Sequence, residues 1–318
     1  MKWIVFSDIH SNYYALSELA KYLSKYQLEE VRLYFLGDLF GYLKYDARVA
    51  LLLRDLQKRY NMHMLLGNHD AALCNAVFNT NFSVIQSDAI RDTLNDNICY
   101  HKDFMEILQQ MNTNIISAKI GFRQCHMFHG GLRDNLNEYY YPDLRFLQNA
   151  KPWIKRHHTY MFGHTHRPFI IEWEQATLIN VGSLGLPRDH DNKLSFVEIE
   201  RDDIRVIRLN YDFDAVYTYN RELPNAIKNR IYFGSKSAYL NYDLIGFNDV
   251  EKKLIGELEP RICPEYYARG AYLKVMGRSY QLFKIARFGI TYLLRTEALE
   301  HCFNKLEILI DWVKKYDG

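Results

Sequence analysis

The chain has 318 residues, 48% hydrophobic and 25% charged, with 40 Lys and Arg against 38 Asp and Glu. That length supports one large or two ordinary domains with a well-buried core. The composition excludes a disordered, collagen-like or disulfide-scaffold chain, and a net charge of +2 selects no partner.

Five scattered cysteines without a C-x-x-C pair fit neither a disulfide framework nor a thiolate zinc site, and predict a reducing compartment. No apolar run approaches the ~18 residues of a membrane span. Met1-Lys2-Trp3-Ile4-Val5-Phe6 is too short for a signal peptide before polar residues follow, so the expected location is the cytoplasm, with no membrane partner.

In chain order, three short apolar runs each end in a polar cluster. Ile4-Val5-Phe6 precedes Ser7-Asp8-Ile9-His10, Leu33-Tyr34-Phe35-Leu36 precedes Gly37-Asp38, and Met62-His63-Met64-Leu65-Leu66 precedes Gly67-Asn68-His69-Asp70. Such runs suit strands buried on both faces. Between them Leu16, Leu19, Ala20 and Leu23, then Val49, Leu52, Leu53 and Leu56, form helical stripes. Asp8, Asp38 and Asn68 are spaced by 30 residues, about one strand–helix–strand crossover. Parallel strands follow, with each polar cluster at a carboxyl end, where open α/β sheets bind ligands.

Residues 71–118 carry no comparable strand signal and read as mostly helical, with Phe104, Ile107, Leu108 and Met111 on one stripe. Strands are predicted again at 123–128, 159–162, 169–173, 177–181, 194–199 and 204–209, and the short, turn-separated middle ones predict a second, partly antiparallel sheet. From Tyr266 to Thr296 there is no acidic residue, while six basic and seven aromatic side chains interleave. That stretch reads either as a single-strand nucleic-acid binder, which stacks bases and neutralises phosphates, or as a helical subdomain with an aromatic core. Composition favours the second, and Leu299, Phe303, Leu306, Ile310 and Val313 then predict a closing amphipathic helix.

The polar residues that end the strands are Asp8, His10, Asp38, Asn68, His69, Asp70, His129, His164 and His166. Carboxylate, imidazole and amide oxygen are ligands for borderline divalent metals such as manganese, iron, zinc, nickel or cobalt. Each fragment alone is a common tripeptide or turn; five in order, each ending a strand signal, point to a metal site.

These blocks resemble those of the calcineurin-like metallophosphoesterases: Asp8-Ile9-His10, Gly37-Asp38, Gly67-Asn68-His69-Asp70, His129 and Gly163-His164-Thr165-His166. The segments from Gly37 to Tyr42, from His129 to Asp134, and from Asn180 to Asp189 narrow the resemblance to the bacterial and archaeal phosphodiesterase branch. It extends to about residue 235, where Tyr211-Asp212 and Leu223-Pro224 are similar to that branch's usual ending. Residues 1–235 are therefore expected to be the catalytic domain and 236–318 a mainly helical extension. Val181 stands where the branch usually has Pro. Leu39-Phe40-Gly41 stands where the related protein phosphatases carry Asp-Arg-Gly, which counts against protein phosphatase activity.

The resemblance implies an α/β fold, a four-layer α-β-β-α sandwich of two mixed sheets. It implies two divalent metal ions, manganese first, with iron, zinc, nickel, cobalt or magnesium as alternatives. Metal 1 would be held by Asp8, His10, Asp38 and His166, and metal 2 by Asp38, Asn68, His129 and His164, with Asp38 bridging. Such a site keeps about one net positive charge and suits an anionic ester, attacked in line by a bridging hydroxide. His69 is implied to assist the leaving group, and Asp70 to orient its ring and favour its protonated form, although Asp70 also suits the cap of the next helix.

Arg133 and Arg188 follow glycine-rich turns and suit a bidentate phosphate grip or, more blandly, ion pairs with Asp134 and Asp189. Asn12 is a further candidate phosphate contact. His126 should point away from His129, and His63, His157 and His158 read as structural or exposed. The leading function is a two-metal phosphodiesterase acting on a phosphate ester, with nucleotides and nucleic acid among the candidate substrates. A single-strand nuclease, a dinucleoside polyphosphate hydrolase and a non-enzymatic scaffold on the same fold are the alternatives.

Overall fold

The structure is a computed structural model. It describes the chain apart from residues 79–101, 112, 142–149, 190, 202, 224–226, 229, 232–247, 257–264, 268–269, 276–277, 286–290, 296–299, 304–305 and 317–318. The described part divides into two compact units, one spanning 1–142 and 146–236, the other 237–318 with 143–145.

The first unit contains β1 (Lys2–Phe6), α1 (Tyr13–Leu23), β2 (Val31–Phe35), α2 (Ala47–Arg59), β3 (Asn61–Met64), α3 (Asn68–Phe78) and α4 (Lys102–Gln110). These are followed by β4 (Ile116–Ile120), β5 (Arg123–Met127), β6 (His158–Phe162), β7 (Phe169–Trp173), β8 (Ala176–Asn180), β9 (Leu194–Glu200), β10 (Asp203–Leu209) and α5 (Phe213–Tyr219). Local chemistry starts both early helices. Asn12 caps α1 by accepting from the Ala15 amide at 3.0 Å, and Asp46 caps α2 by accepting from the Arg48 amide at 3.0 Å, each worth about 1 kcal/mol.

The two sheets run β10-β9-β1-β2-β3 and β4-β5-β6-β8-β7. As expected, β1, β2 and β3 are parallel. In the second sheet β5, β6 and β8 are parallel and the edges β4 and β7 antiparallel. Val5, Val197 and Ile199 of the first sheet pack with Cys125, Met127, Met161 and Ile179 of the second, so the sheets lie face to face. The outer face of the first sheet takes Leu16, Leu19 and Leu23 of α1, Val49, Leu53 and Leu56 of α2, and Phe104 and Ile107 of α4. On the other side, Phe128, Tyr160, Phe162 and Leu178 are covered by Tyr140 and Ala150.

Three expectations change. The segment Met62–Leu66 does not form a strand buried on both faces: β3 is the sheet edge, and Asn61 and His63 are exposed. A strand, β4, lies within the stretch expected to be helical. Ile116-Ser117-Ala118-Lys119-Ile120 is a half-exposed edge, so its side chains lack the apolar density that marks a buried strand. Within that stretch 71–78 and 102–110 are helical as expected, and 79–101 lie outside the described residues.

The third correction concerns the extension. Among its described residues it is not mainly helical: β11 (Glu265–Tyr267), β12 (Gly270–Val275), β13 (Arg278–Ile285), β14 (Thr291–Arg295) and β15 (Glu300–Phe303) form an antiparallel sheet in chain order. It is accompanied by α6 (Asp249–Gly256) and α7 (Leu306–Tyr316). β12 and β13 pair from Ala271 with Leu282 to Val275 with Arg278, and β-pairing outranks helical spacing in an aromatic, β-branched segment. Phe303 consequently belongs to a strand, and the closing helix begins only at Leu306. Among the described residues no helix is long and apolar enough to cross a membrane.

Candidate metal centre

The predicted ligands all follow parallel strands. Asp8 and His10 come after β1, Asp38 after β2, Asn68 at the start of α3 after β3, His129 after β5, and His164 and His166 after β6. Backbone bonds stitch these loops together: Asp8 N–H donates to the Gly37 carbonyl at 2.9 Å, His10 N–H to Asp38 at 3.1 Å, and Gly163 N–H to His129 at 3.0 Å. Asp8, His10, Asp38, His164 and His166 all adopt left-handed backbone, with φ between 48 and 62°. Such strain costs of order 1–3 kcal/mol per residue and persists where surrounding bonds over-determine it. Gly67 allows the close approach, because a Cβ there would run into the Asp38 side chain and backbone.

Two groups converge: Asp8, His10 and His166 in one, Asp38, His129 and His164 in the other, with each group's ligand atoms within 4.8 Å of one another and all six residues buried. Asp38 stands between them, one of its oxygens 3.7 Å from His10 Nε2 and 3.3 Å from His129 Nε2. The Asn68 amide oxygen lies 3.0 Å from His129 Nε2.

The donors fit a pair of cations. Nδ1 of His10, His129 and His166 each faces a backbone carbonyl, of Phe40 at 3.2 Å, Leu36 at 2.9 Å and Leu186 at 2.5 Å. With Nδ1 turned to a carbonyl, Nε2 is the nitrogen that faces inward and is left for a cation, the usual second-layer arrangement of a metal-binding histidine. Asp8 Oδ1 and His164 Nε2 are buried without a hydrogen-bond partner, which is costly unless an ion meets them. Burial raises the Asp8 and Asp38 pKa values, but the facing imidazoles outweigh it and hold both below the ordinary carboxylate range. Burial lowers His129, yet the carboxylates, Asp38 foremost, bring it up to about 9. Burial and the neighbouring His129 take His164 down to about 4.

Asp70 does not orient the His69 ring. Its carboxylate accepts from the backbone amides of Asp38 at 2.6 Å, Leu39 at 3.0 Å and Gly67 at 3.1 Å, so it ties the two ligand loops together. The reason is geometric: adjacent residues on a helix point in different directions. His69 sits beside the site, its ring centroid 5.1 Å from His10 and 4.6 Å from Tyr42. Burial takes its pKa down to about 3, so the ring is neutral rather than protonated as expected.

Asn12 does not reach for a phosphate. It is buried, with its oxygen capping α1 and its NH2 donating to the Gly185 carbonyl at 2.7 Å. Arg133 pairs with Glu138 and is 54% exposed, so it takes the bland role, with a different partner: Asp134 instead accepts from the Leu136 and Asn137 amides. Arg188 differs. Its suggested partner Asp189 is taken by Arg208, and its guanidinium lies 5.3 Å from the Tyr42 ring centre. His126 is turned to its own cluster, 2.8 Å from His158, His63 stacks on Tyr34 and His157 is exposed. Val181 donates its amide to the Phe162 carbonyl at 2.8 Å, a bond that proline would forfeit.

Three neighbours of the site were not singled out by the sequence: Tyr42, whose ring meets His10 and His69, Tyr139, whose ring lies 4.1 Å from His164, and Arg230 beside Tyr42. Tyr42 stood within a recognised block, and neither of the others carried a local signal.

A family model for the calcineurin-like phosphoesterase superfamily domain matches residues 1–203. An uncharacterised protein of Methanocaldococcus jannaschii is 27% identical over 245 residues, covering 72% of this chain and 97% of that protein. Among solved structures, a metallophosphoesterase from Sphaerobacter thermophilus is similar with a TM-score of 0.59 at 22% identity, covering 74% of this chain and 100% of the other. A hypothetical protein from Pyrococcus horikoshii gives 0.61 at 17% identity, covering 74% and 99%. These two likenesses concern the fold, the mixed two-sheet sandwich described above. With the family match spanning every ligand-bearing loop, the chain belongs to the calcineurin-like phosphoesterase superfamily.

Proposed function

We propose that this chain is a two-metal phosphodiesterase whose catalytic domain is 1–235, with 236–318 an extension. The observation that carries the reading is the pair of inward-facing donor groups on either side of Asp38. Asp8, His10, Asp38 and His166 would hold one ion, and Asp38, Asn68, His129 and His164 the other. Divalent ions there supply Lewis acidity toward phosphoryl oxygens and a nucleophile at neutral pH, with manganese the first choice.

The chain's own residues supply the rest. Two carboxylates among otherwise neutral ligands leave the loaded site cationic and suited to an anionic ester. His69 donates a hydrogen bond to the departing oxygen from a neutral ring, which fits its burial. Asp70 keeps the Asp38 and Asn68 loops in register and touches no reacting atom. Against a scaffold role stands the donor set: every predicted ligand position holds a suitable side chain, and all of them converge.

The test is hydrolysis of bis-p-nitrophenyl phosphate and p-nitrophenyl phosphate in parallel, with manganese and with chelator. Manganese-dependent turnover favouring the diester is expected. Preference for the monoester overturns the diesterase reading, and bound manganese without turnover of either ester moves the protein to the scaffold class.

A further inference from the structure

Arg230 lies in a helical turn beyond the residues matched by the family model. It is only 3% exposed, and its guanidinium lies 5.0 Å from the Tyr42 ring centre, bonded to the Tyr42 side chain. Arg188 approaches the same ring at 5.3 Å. Tyr42 in turn packs on His10 and His69, at 4.9 and 4.6 Å between ring centres.

Neither guanidinium has a carboxylate partner among the described residues. Arg188 Nε and both Nε and Nη1 of Arg230 are buried with no hydrogen-bond acceptor. Burial, with the Arg188 charge beside it, takes the Arg230 pKa down to about 10. Buried charges in proteins are paired, because an isolated one is costly, and two like charges around one aromatic ring compound that cost. Planar N–H forks with free donors match phosphate oxygens. A cationic metal centre with a simple diester bound would leave both arginines uncompensated; a substrate bearing another phosphate would neutralise them.

We infer that Arg188, Arg230 and Tyr42 form a subsite for a second, non-scissile phosphate, so that the substrate is a nucleotide-like ester carrying more than one phosphate group. This deepens the phosphodiesterase reading and rests on it for the scissile group, while the subsite itself is read by binding alone.

The test is calorimetric binding of adenosine monophosphate, adenosine diphosphate and adenosine 3′,5′-bisphosphate to the full-length, manganese-loaded protein. At least one doubly phosphorylated ligand should bind about tenfold or more tighter than the monophosphate. Arg230→Met should reduce that preference to about twofold or less and leave monophosphate affinity close to wild type, with Arg230→Lys in between. Arg188→Met, at a less buried position, carries the same test should Arg230→Met fail to fold. Equal affinity of the wild type for all three ligands, or a preference untouched by the folded variants, overturns the inference. Diester turnover without the binding preference sinks only the subsite. A binding preference without any ester turnover sinks the hydrolytic reading instead.

Discussion

His10 and His166, 156 residues apart in sequence, face each other through Nε2 atoms 3.0 Å apart, and each Nδ1 is turned to a backbone carbonyl. Two neutral rings so arranged bring lone pair to lone pair, which is repulsive until a cation lies between the donors. In the second group His129 Nε2 lies 3.2 Å from His164 Nδ1, and there a cation would displace the inward proton of the His129 ring.

Asp38 is the side chain that stands between both groups. Asp38→Asn removes a negative charge from each and should weaken manganese binding at both sites by at least about a hundredfold, with diester turnover falling to background. Metal content after dialysis and turnover at saturating manganese check this; full activity in the variant would dismiss the shared-ligand arrangement.

Asp70 acts on the ligand loops through three backbone amides. Asp70→Ala leaves those buried donors unsatisfied, at about 1–3 kcal/mol each. Metal affinity should fall by about 10–100-fold together with stability. If Asp70 instead served only the His69 ring, turnover would fall with metal affinity intact, and a calorimetric metal titration separates the two.

His69 lies outside the ligand set. His69→Ala should cost about 10²–10⁴ in turnover and leave metal stoichiometry unchanged. Because the wild-type ring is neutral, His69→Gln should recover part of the rate by donating from its amide. A variant that no longer holds metal would mean that His69 is a ligand.

The metal-free protein should be most stable near pH 6.5. His69 and His164 have folded pKa values lowered to about 3 and about 4, and burial lowers His166 as well. Their stabilisation is complete above the unfolded value of about 6.5 and is lost as pH falls. Asp70, raised to about 7 by burial and the Asp38 charge, opposes this below neutrality but is outnumbered. His129, raised to about 9, has the reverse sign: its stabilisation is complete below about 6.5 and is lost as pH rises toward 9. Melting temperatures with chelator should fall on both sides of the maximum. Excess manganese should flatten the alkaline side, because metal binds the deprotonated ring. A chelated protein whose melting temperature rises steadily to pH 9 would contradict the His129 assignment.

Truncation after Lys236, at the boundary between the two compact units, should leave a folded protein that binds manganese. An insoluble product would mean that the extension completes the catalytic core.

The convergence of these donor side chains was legible because each member sits within a few residues of a strand end, where local patterning reports position. The order of blocks and the 30-residue spacing placed Asp8, Asp38 and Asn68 just beyond the ends of parallel strands. The extension misled for a related reason: interleaved basic and aromatic residues resemble a solvated helix until strand pairing, such as Gln281 with Arg295, supplies the more distant partner.

What the sequence by itself determined is therefore the donor chemistry: which carboxylates, imidazoles and amide are present, in which order, and that they lie at strand ends. The tertiary structure decided how they and their neighbours are used. Asp70 follows His69 directly in the chain, yet bonds to the Asp38 loop more than thirty residues away, because a helix turns adjacent side chains apart. Arg133 and Arg188 look alike in sequence; one meets Glu138, while the other loses Asp189 to Arg208 and turns to Tyr42. Arg230 carries no motif at all and acquires meaning only where the fold brings it to the same ring. Pairing and burial are properties of encounters between distant segments, and those encounters set the cost of a charge and the role that it can take.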